Sequence, residues 1–329
     1  MLRLPPFEVA EPTTVAEATR ILKERPGARA MAGGTDLLPN MKHEITTPGL
    51  VVGLWGIPGL RGVTLDGGHL KIGALSSLHA LSEDPLIRAH LPSLAEAVGQ
   101  IAGPQLRRMG TIGGNVCLDT RCVYINQTYF WRQALGFCLK KDGTVCHVVK
   151  GGRRCVAAAS NDSAPVLMSL DATLKLESAE GTRIVPIDDF YDSDGVFNQQ
   201  RRPDELLTEI SVPLPKPGTI AAYTKLRTRA AIDFPELGVA VLAERAEGLV
   251  ERIEVCVTAL AARPVRVPLP LEALKGRPLD AALIDQVAAE AYRRCKPLKN
   301  IATEPAYRRE MVPVFVRRAF RLALARASA

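Results

Sequence analysis

No stretch of 18 apolar residues occurs in this chain, which excludes a membrane-spanning helix. The opening residues, Met1-Leu2-Arg3-Leu4-Pro5-Pro6, lead into no apolar run of the kind an export signal needs, so a cytoplasmic protein is expected. There is no low-complexity tract and no repeat at a fixed period, and disorder is not expected beyond the ends. No Gly-Lys-Ser/Thr phosphate loop and no G-x-G-x-x-G fingerprint is present. Helix-turn-helix and zinc-finger spacings are missing. So is any spaced Ser/His/Asp or metal-binding His set, which removes the usual hydrolase chemistries.

What is there is an ordinary globular composition: 329 residues, 47% hydrophobic and 23% charged, a length that suggests two domains, with three lobes as the upper bound. The net charge is +7. Lys and Arg are scattered, so nucleic acid is not the expected partner. A basic surface can equally recruit an acidic protein or offset an anionic cofactor.

Local patterns mix the two periods irregularly. Thr14-Val15-Ala16-Glu17 is a capping box, and apolar Val15, Ala18, Ile21 and Leu22 predict a helix that stops before Pro26-Gly27. Strands are expected at Ala28 to Ala32, Val51 to Trp55 and His69 to Ile72, and Ser93-x-x-Glu96 predicts a capped helix to about Ala102. Further strands are expected at Ala172 to Glu177, Leu206 to Val212 and Ile253 to Ala259. A helix should run from Asp280 to Cys295, and a last basic helix from about Pro305, kinked or divided at Pro313. Pro213 to Gly218 is the best linker. The expectation is an α+β chain divided near residue 216, with a larger cofactor domain over 1–216 and a smaller α+β domain over 217–329.

Two glycine loops stand out, Ala32-Gly33-Gly34-Thr35-Asp36 after a strand and Thr111-Ile112-Gly113-Gly114-Asn115 after the turn at Gly103-Pro104. Glycine lets the backbone approach a ligand closely and adopt positive φ, so each loop is expected to aim N–H groups at a diphosphate, and the pair implies a dinucleotide held between them. Taken singly, a Gly-Gly pair also reads as a tight turn.

The two loops resemble the pyrophosphate loops of the FAD-binding subunits of the molybdenum hydroxylases, the family of the xanthine and carbon monoxide dehydrogenases. Further matches are Asn161-Asp162-Ser163-Ala164-Pro165 leading into an expected strand, Glu205 to Ile210, Tyr223-Thr224-Lys225 with Asp233-Phe234, and Tyr307-Arg308-Arg309, so the resemblance covers almost the whole chain. It implies a two-lobed FAD-binding domain of the vanillyl-alcohol oxidase and molybdenum hydroxylase type. It implies that Arg29, Ala30, Met31, Ala32, Gly33, Gly34, Thr35 and Asp36, with Thr111, Ile112, Gly113, Gly114 and Asn115, line the FAD phosphates and ribityl chain. Asp162 would accept a hydrogen bond from the cofactor, and Ile101, Leu207 and Lys225 would contact it. As plain residues, Asp162 is an N-cap or turn residue, Lys225 a solvated charge, and Ile101 and Leu207 core.

Five of the seven cysteines, Cys117, Cys122, Cys138, Cys146 and Cys155, fall within 39 residues, whereas Cys256 and Cys295 stand alone in a strand and a helix. Against the family pattern, in which Gly-Gly-Asn is soon followed by the Asp-containing turn, residues 118–157 are an insertion. Cys122, Cys138, Cys146 and Cys155 lie in it with 15, 7 and 8 residues between them, enough thiolates for one [4Fe–4S] cluster. Zinc is the competing metal, although its sites prefer closely spaced cysteine pairs, and bystander thiols are the third reading. Cys117 lies where relatives without the insertion often carry cysteine and is left out of the ligand set, as is His147. Tyr124, Tyr129, Phe130, Trp131 and Phe137 are expected to shield a cluster from water. Arg121, Arg132, Lys140, Lys141, Lys150, Arg153 and Arg154 make the insertion basic, each expected singly to be solvated.

Within the family, a four-cysteine insertion at this place is similar to the β subunits of the 4-hydroxybenzoyl-CoA reductases. That resemblance implies an electron-input subunit: reduced ferredoxin feeds the [4Fe–4S] cluster, the cluster feeds FAD, and a [2Fe–2S] small subunit and a molybdopterin-binding large subunit carry electrons to molybdenum, in a dimer of heterotrimers. No motif for a molybdopterin site occurs in this chain. The alternative is the FAD subunit of an oxidative xanthine or carbon monoxide dehydrogenase type enzyme with a structural metal loop.

Overall fold

The computed structural model describes residues 2–327. Thr14 opens the first helix as its sequence predicts: its hydroxyl accepts from Glu17 N at 3.1 Å, and the Glu17 carboxylate takes Thr13 N at 3.0 Å. This helix, α1 (Val15–Glu24), links β1 (Glu8–Ala10) to β2 (Arg29–Met31), and α2 (Leu37–Lys42) precedes β3 (Leu50–Gly53). The three strands pair in parallel in the order β1-β3-β2, an arrangement that requires such crossovers. Ala18 and Leu22 of α1 bury against Leu50 and Val52.

The second sheet is antiparallel, with order β4-β5-β8-β6-β7, formed by β4 (Val63–Asp66), β5 (His69–Gly73), β6 (Thr173–Ser178), β7 (Gly181–Pro186) and β8 (Leu206–Pro213). Leu70, Ile72, Leu174, Leu176, Ile210 and Val212 alternate onto one fully buried face. Helices α3 (Leu78–Glu83), α4 (Pro85–His90) and α5 (Pro92–Gly99) contribute to that core, followed by α6 (Pro104–Met109), α7 (Ile112–Val116), α8 (Tyr129–Ala134), α9 (Ser163–Ser169) and α10 (Ile187–Phe190).

The third sheet is an antiparallel meander of β9 (Ile220–Leu226), β10 (Leu237–Ala246), β11 (Leu249–Thr258) and β12 (Val265–Arg266), after which come α11 (Leu271–Leu274), α12 (Ala281–Arg294) and α13 (Pro305–Ala327). Val239, Val241, Val255 and Val257 face α12 and α13, whereas Ala240, Leu242 and Cys256 join the core that holds α9. The sheet is thus covered on both sides, which is why Leu237 to Ala243 reads as an unbroken apolar run.

Three local expectations fail for identifiable reasons, and of the two outcomes expected at Pro313 the division does not occur. Ser93 does not cap α5; Pro92 takes the first position, and Glu96 reaches across to accept from Tyr223 N at 3.0 Å. The segment after Asn161 is helix α9 rather than a strand, because Pro165 falls in a first turn, where a missing N–H costs nothing. The loop at Thr111 closes into the short helix α7, the Thr111 hydroxyl accepting from Gly114 N at 3.0 Å. Helix α13 continues through Pro313 undivided, anchored by Arg308, which is fully buried and donates to the carbonyls of Ala259, Leu298 and Glu236. Among the described residues no helix is long and apolar enough to cross a membrane.

The helix from Asp280 forms as expected, with Asp280 Oδ1 accepting from Leu283 N at 2.8 Å. Asp280→Ala should cost about 1 kcal/mol, read as a lower urea midpoint at unchanged slope.

Candidate functional site

Strand β2 delivers Arg29, Ala30 and Met31 to the edge of the parallel sheet, and the chain then turns through Ala32 to Asp36. Gly33 lies so close to the end of α6 that an added Cβ would stand 1.8 Å from the Met109 carbonyl oxygen, and Gly34 has φ +70°. Both positions therefore need glycine. A Cβ on Gly110 would lie 3.5 Å from the Thr35 hydroxyl, so the first loop abuts the entry to the second. The N–H groups of Gly33, Gly34, Thr35 and Asp36 donate to no acceptor among the described residues. Four unpaired donors on a glycine turn fit a diphosphate.

The second loop works differently from its expected role. Its N–H groups are used internally, Ile112 N to Ser76 O at 3.0 Å, Gly113 N to Ala74 O at 2.9 Å and Asn115 N to Thr111 O at 2.9 Å. Only the Thr111 N–H lacks an acceptor within the described chain. Gly113 is a close-packing position, since its Cβ would meet Ala74 at 2.8 Å. Asn115 Oδ1 accepts from Ser163 N at 3.0 Å and Ser163 Oγ at 2.6 Å, which joins the loop to the start of α9.

There Asp162 stands at the N-cap position without making a capping bond. Its buried carboxylate accepts from Tyr223 Oη at 2.7 Å and sits 3.0 Å from Lys225 Nζ. Lys225 is not solvated; it also donates to Gln100 O at 3.1 Å, next to Ile101. Burial pushes the Asp162 carboxyl up and the Lys225 amine down, while their mutual attraction opposes both shifts. The structure thus links Asn115, Asp162 and Lys225 through Ser163 and the ion pair, whereas Ile101, next to Gln100, packs on the main core that also holds Leu207, 8% exposed.

The insertion closes on itself. Arg121 N donates to Ala158 O at 2.8 Å and Ala158 N to Arg121 O at 2.7 Å, pairing its two ends. Cys122, Cys138, Cys146 and Cys155 line a single small cavity together with Tyr124, Lys140 and His147. Val149 N and Ala157 N point at the Cys146 and Cys155 sulfurs, each at 3.4 Å, and Tyr124 N bonds the Cys122 thiol. Burial raises the Cys122 thiol to about 11, with the other three thiols adding to the shift. Cys117 lies outside this cavity, packed on the main core beside Arg201. Among the described residues no group of three or more His, Cys, Asp or Glu side chains is placed to hold a metal ion.

Two expectations for the insertion are overturned. Phe130 is 79% exposed, and Tyr129 and Trp131 are also exposed, so Tyr124 alone of the five aromatics lines the cavity. Nor are the basic residues all solvated. The Lys140 side chain is only 6% exposed and holds Asp119 Oδ1 at 2.7 Å, Thr120 Oγ1 at 2.8 Å and Gly195 O at 2.6 Å. Arg132 is 2% exposed and donates to the carbonyls of His43 and Glu44. Sequence patterns also gave no sign of Asn300, whose N–H₂ donates to Val156 O at 2.6 Å and whose carbonyl accepts from Val123 N at 2.9 Å. Gly195 is a further surprise, for its Cβ would lie 3.0 Å from the Cys155 sulfur.

A parallel three-stranded lobe with an open glycine turn, an antiparallel second lobe and a helix-backed C-terminal sheet define a flavoprotein. Residues 5–215 match the family described as the FAD binding domain in molybdopterin dehydrogenase, and residues 221–323 the CO dehydrogenase flavoprotein C-terminal domain. The chain belongs to the FAD-binding subunits of the molybdenum hydroxylases, the family of the xanthine and carbon monoxide dehydrogenases. It is 30% identical over 322 residues to the carbon monoxide dehydrogenase medium chain of Afipia carboxidovorans, covering 98% of each. It is 26% identical over 316 residues to a xanthine dehydrogenase FAD-binding subunit of Escherichia coli, covering 95% of this chain and 94% of that one. A solved carbon monoxide dehydrogenase structure from Hydrogenophaga pseudoflava superposes with a TM-score of 0.82 at 29% identity, covering 98% of this chain and 99% of that one. The expected fold class is therefore correct.

Gly33→Ala should abolish flavin retention, because its methyl group would overlap the Met109 carbonyl; the check is FAD content after gel filtration. Lys225→Met strands the Asp162 carboxylate and should cost about 3–5 kcal/mol at neutral pH. In that variant the carboxyl, already raised by burial, rises further. The unfolded chain then binds fewer protons than the folded one above about pH 4, so stability should be kept below that pH and lost progressively as pH rises from there through the raised value of the folded carboxyl. Urea unfolding between acid and neutral pH measures this, and a flat profile would refute it.

Proposed function

We propose that this chain relays electrons between FAD, cradled at the open glycine turn, and a [4Fe–4S] cluster on Cys122, Cys138, Cys146 and Cys155. The observation that supports it is that four thiols, widely spaced in sequence, line one cavity with backbone N–H groups directed at three of the sulfurs. Four thiols suit a cluster whose thiolates bind separate irons, and their wide spacing in sequence is unlike the close cysteine pairs of structural zinc sites. Flavin and cluster would supply exchange between one-electron and two-electron steps. The residues' tasks are to hold the diphosphate at Gly33 to Asp36 and to exclude water through Ile125, Ala157 and Val148. We take the chain as two domains meeting near residue 216, with Arg29 to Asp36, Ile101, Thr111 to Asn115, Asp162, Leu207 and Lys225 lining or supporting the flavin site.

In this reading the chain is the cytoplasmic flavin subunit of an assembly with a molybdopterin-binding large subunit and a [2Fe–2S] small subunit. The relatives are named for dehydrogenases, which favours an oxidative enzyme in which electrons leave through this subunit. The thiol cavity favours a second reading, in which reduced ferredoxin delivers electrons to the cluster for reductive removal of the hydroxyl of 4-hydroxybenzoyl-CoA. Replacing an aromatic C–OH by C–H with loss of water consumes two electrons and two protons, a pair that a flavin can collect from a one-electron donor.

Anaerobically purified protein should carry about four iron, four sulfide and one FAD per chain, the iron lost and the FAD kept in Cys138→Ser. FAD with zinc or with no metal would remove the cluster. Reduction of the assembled enzyme by ferredoxin together with benzoyl-CoA formation would decide for the reductive reading.

A further inference from the structure

We propose that Arg121 is the positioning residue that couples the flavin cradle to the thiol cavity; the inference rests on the two cofactor sites proposed above. Three segments meet at this one side chain. Its guanidinium pairs with Asp36, the last residue of the glycine turn with the unpaired N–H groups, and Asn40 Nδ2 holds the other Asp36 oxygen at 3.0 Å. The Phe234 ring, from the loop between β9 and β10, lies over the guanidinium at 3.8 Å. The Arg121 backbone forms the paired base of the insertion with Ala158, and the next residue is Cys122, whose own N–H is fixed by Asn126 Oδ1 at 3.0 Å. Lys140, which lines the cavity, adds a second cation whose charge acts on both Asp36 and Cys155, but only Arg121 bonds Asp36 and is chain-adjacent to a thiol of the cavity.

The charges explain why an arginine serves here. Asp36 is partly buried beside donors suited to a diphosphate, and burial pushes its carboxyl up while Arg121 opposes that shift. Without Arg121, a carboxylate would face the anionic cofactor uncompensated, and FAD would bind more weakly. The guanidinium stays charged at all relevant pH values and is carried by the residue that precedes Cys122, adding to the Lys140 charge at the cavity. Its loss makes the surroundings of a thiolate-held centre more negative, so the centre becomes harder to reduce. Arg121 Nε is buried without a partner, so the guanidinium is held mainly through Asp36 and Phe234. A cofactor that settles the glycine turn therefore also settles the residue before Cys122.

The test compares full-length wild type, Arg121→Met, Arg121→Lys and Arg121→Met with Asp36→Asn, each with and without FAD. Flavin affinity is followed by fluorescence and the midpoint potential of the iron–sulfur centre by a titration read by electron paramagnetic resonance. In Arg121→Met we expect a tenfold or larger rise in the FAD dissociation constant, a negative shift of the centre's potential, and loss of the dependence of that potential on FAD that wild type shows. Adding Asp36→Asn should restore FAD affinity but not the potential, and Arg121→Lys, which keeps the charge, should hold the potential near the wild-type value. An Arg121→Met protein that binds FAD normally, or whose centre still responds to FAD, overturns the proposal. If wild type holds FAD but no iron–sulfur centre, the cluster reading fails by itself. The coupling is then read from the labelling rate of Cys122: an FAD effect lost in Arg121→Met upholds it, and an FAD effect kept there, or absent from wild type, overturns it.

Discussion

The buried ion pair between Asp162 and Lys225 is the contact on which the rest of the architecture depends. It joins the start of α9, at the heart of the second lobe, to β9 in the C-terminal sheet, and Tyr223 completes it from the same strand. Two charges taken out of water are tolerated only when each finds several partners. Here Lys225 also meets Gln100 O, and Arg227 reaches the same carbonyl at 3.0 Å. Glu96, one turn earlier, binds Tyr223 N and Arg326 of α13. The second glycine loop, α5, α9 and the C-terminal sheet are therefore registered against one another by charge and hydrogen bonds as well as by packing.

Much of the frame was legible in sequence because it depends on short-range chemistry. The capping box at Thr14, the alternation in β6 and β8, and the helix from Asp280 to Cys295 all appear where local pattern puts them. The failures arise where distant partners decide. Ser93 and Glu96 have the spacing of a cap, yet Glu96 is engaged by β9. The two glycine loops look alike on paper, but one leaves its N–H groups open while the other satisfies them with carbonyls of Ala74 and Ser76, which no local pattern reveals. Leu207 and Lys225 illustrate the limit for single residues: one lies in the core and the other in an ion pair, although both belong to strands with similar alternation.

In the insertion, crowding of cysteine was the readable signal, and the four thiols do share a cavity. Which side chains surround them was not readable, since aromatic and basic residues were expected in each other's places. Phe130 and Trp131 lie outward, whereas Lys140 and Arg132 lie within. Arg132 donates to the carbonyls of His43 and Glu44, just past the C-terminus of α2, a favourable place for a cation, and so ties the insertion to the segment that follows the first glycine loop.

Asn300 sets the order in which this molecule can be made. Its side chain and carbonyl hold Val156 and Val123, one at each end of the thiol loop, across 144 residues of sequence for the Val156 contact. During synthesis the four cysteines emerge long before Asn300 does, while domains fold in turn from the N-terminus. The walls of the thiol cavity therefore acquire their last tie only once the chain is nearly complete, so that this part of the molecule closes late in its making.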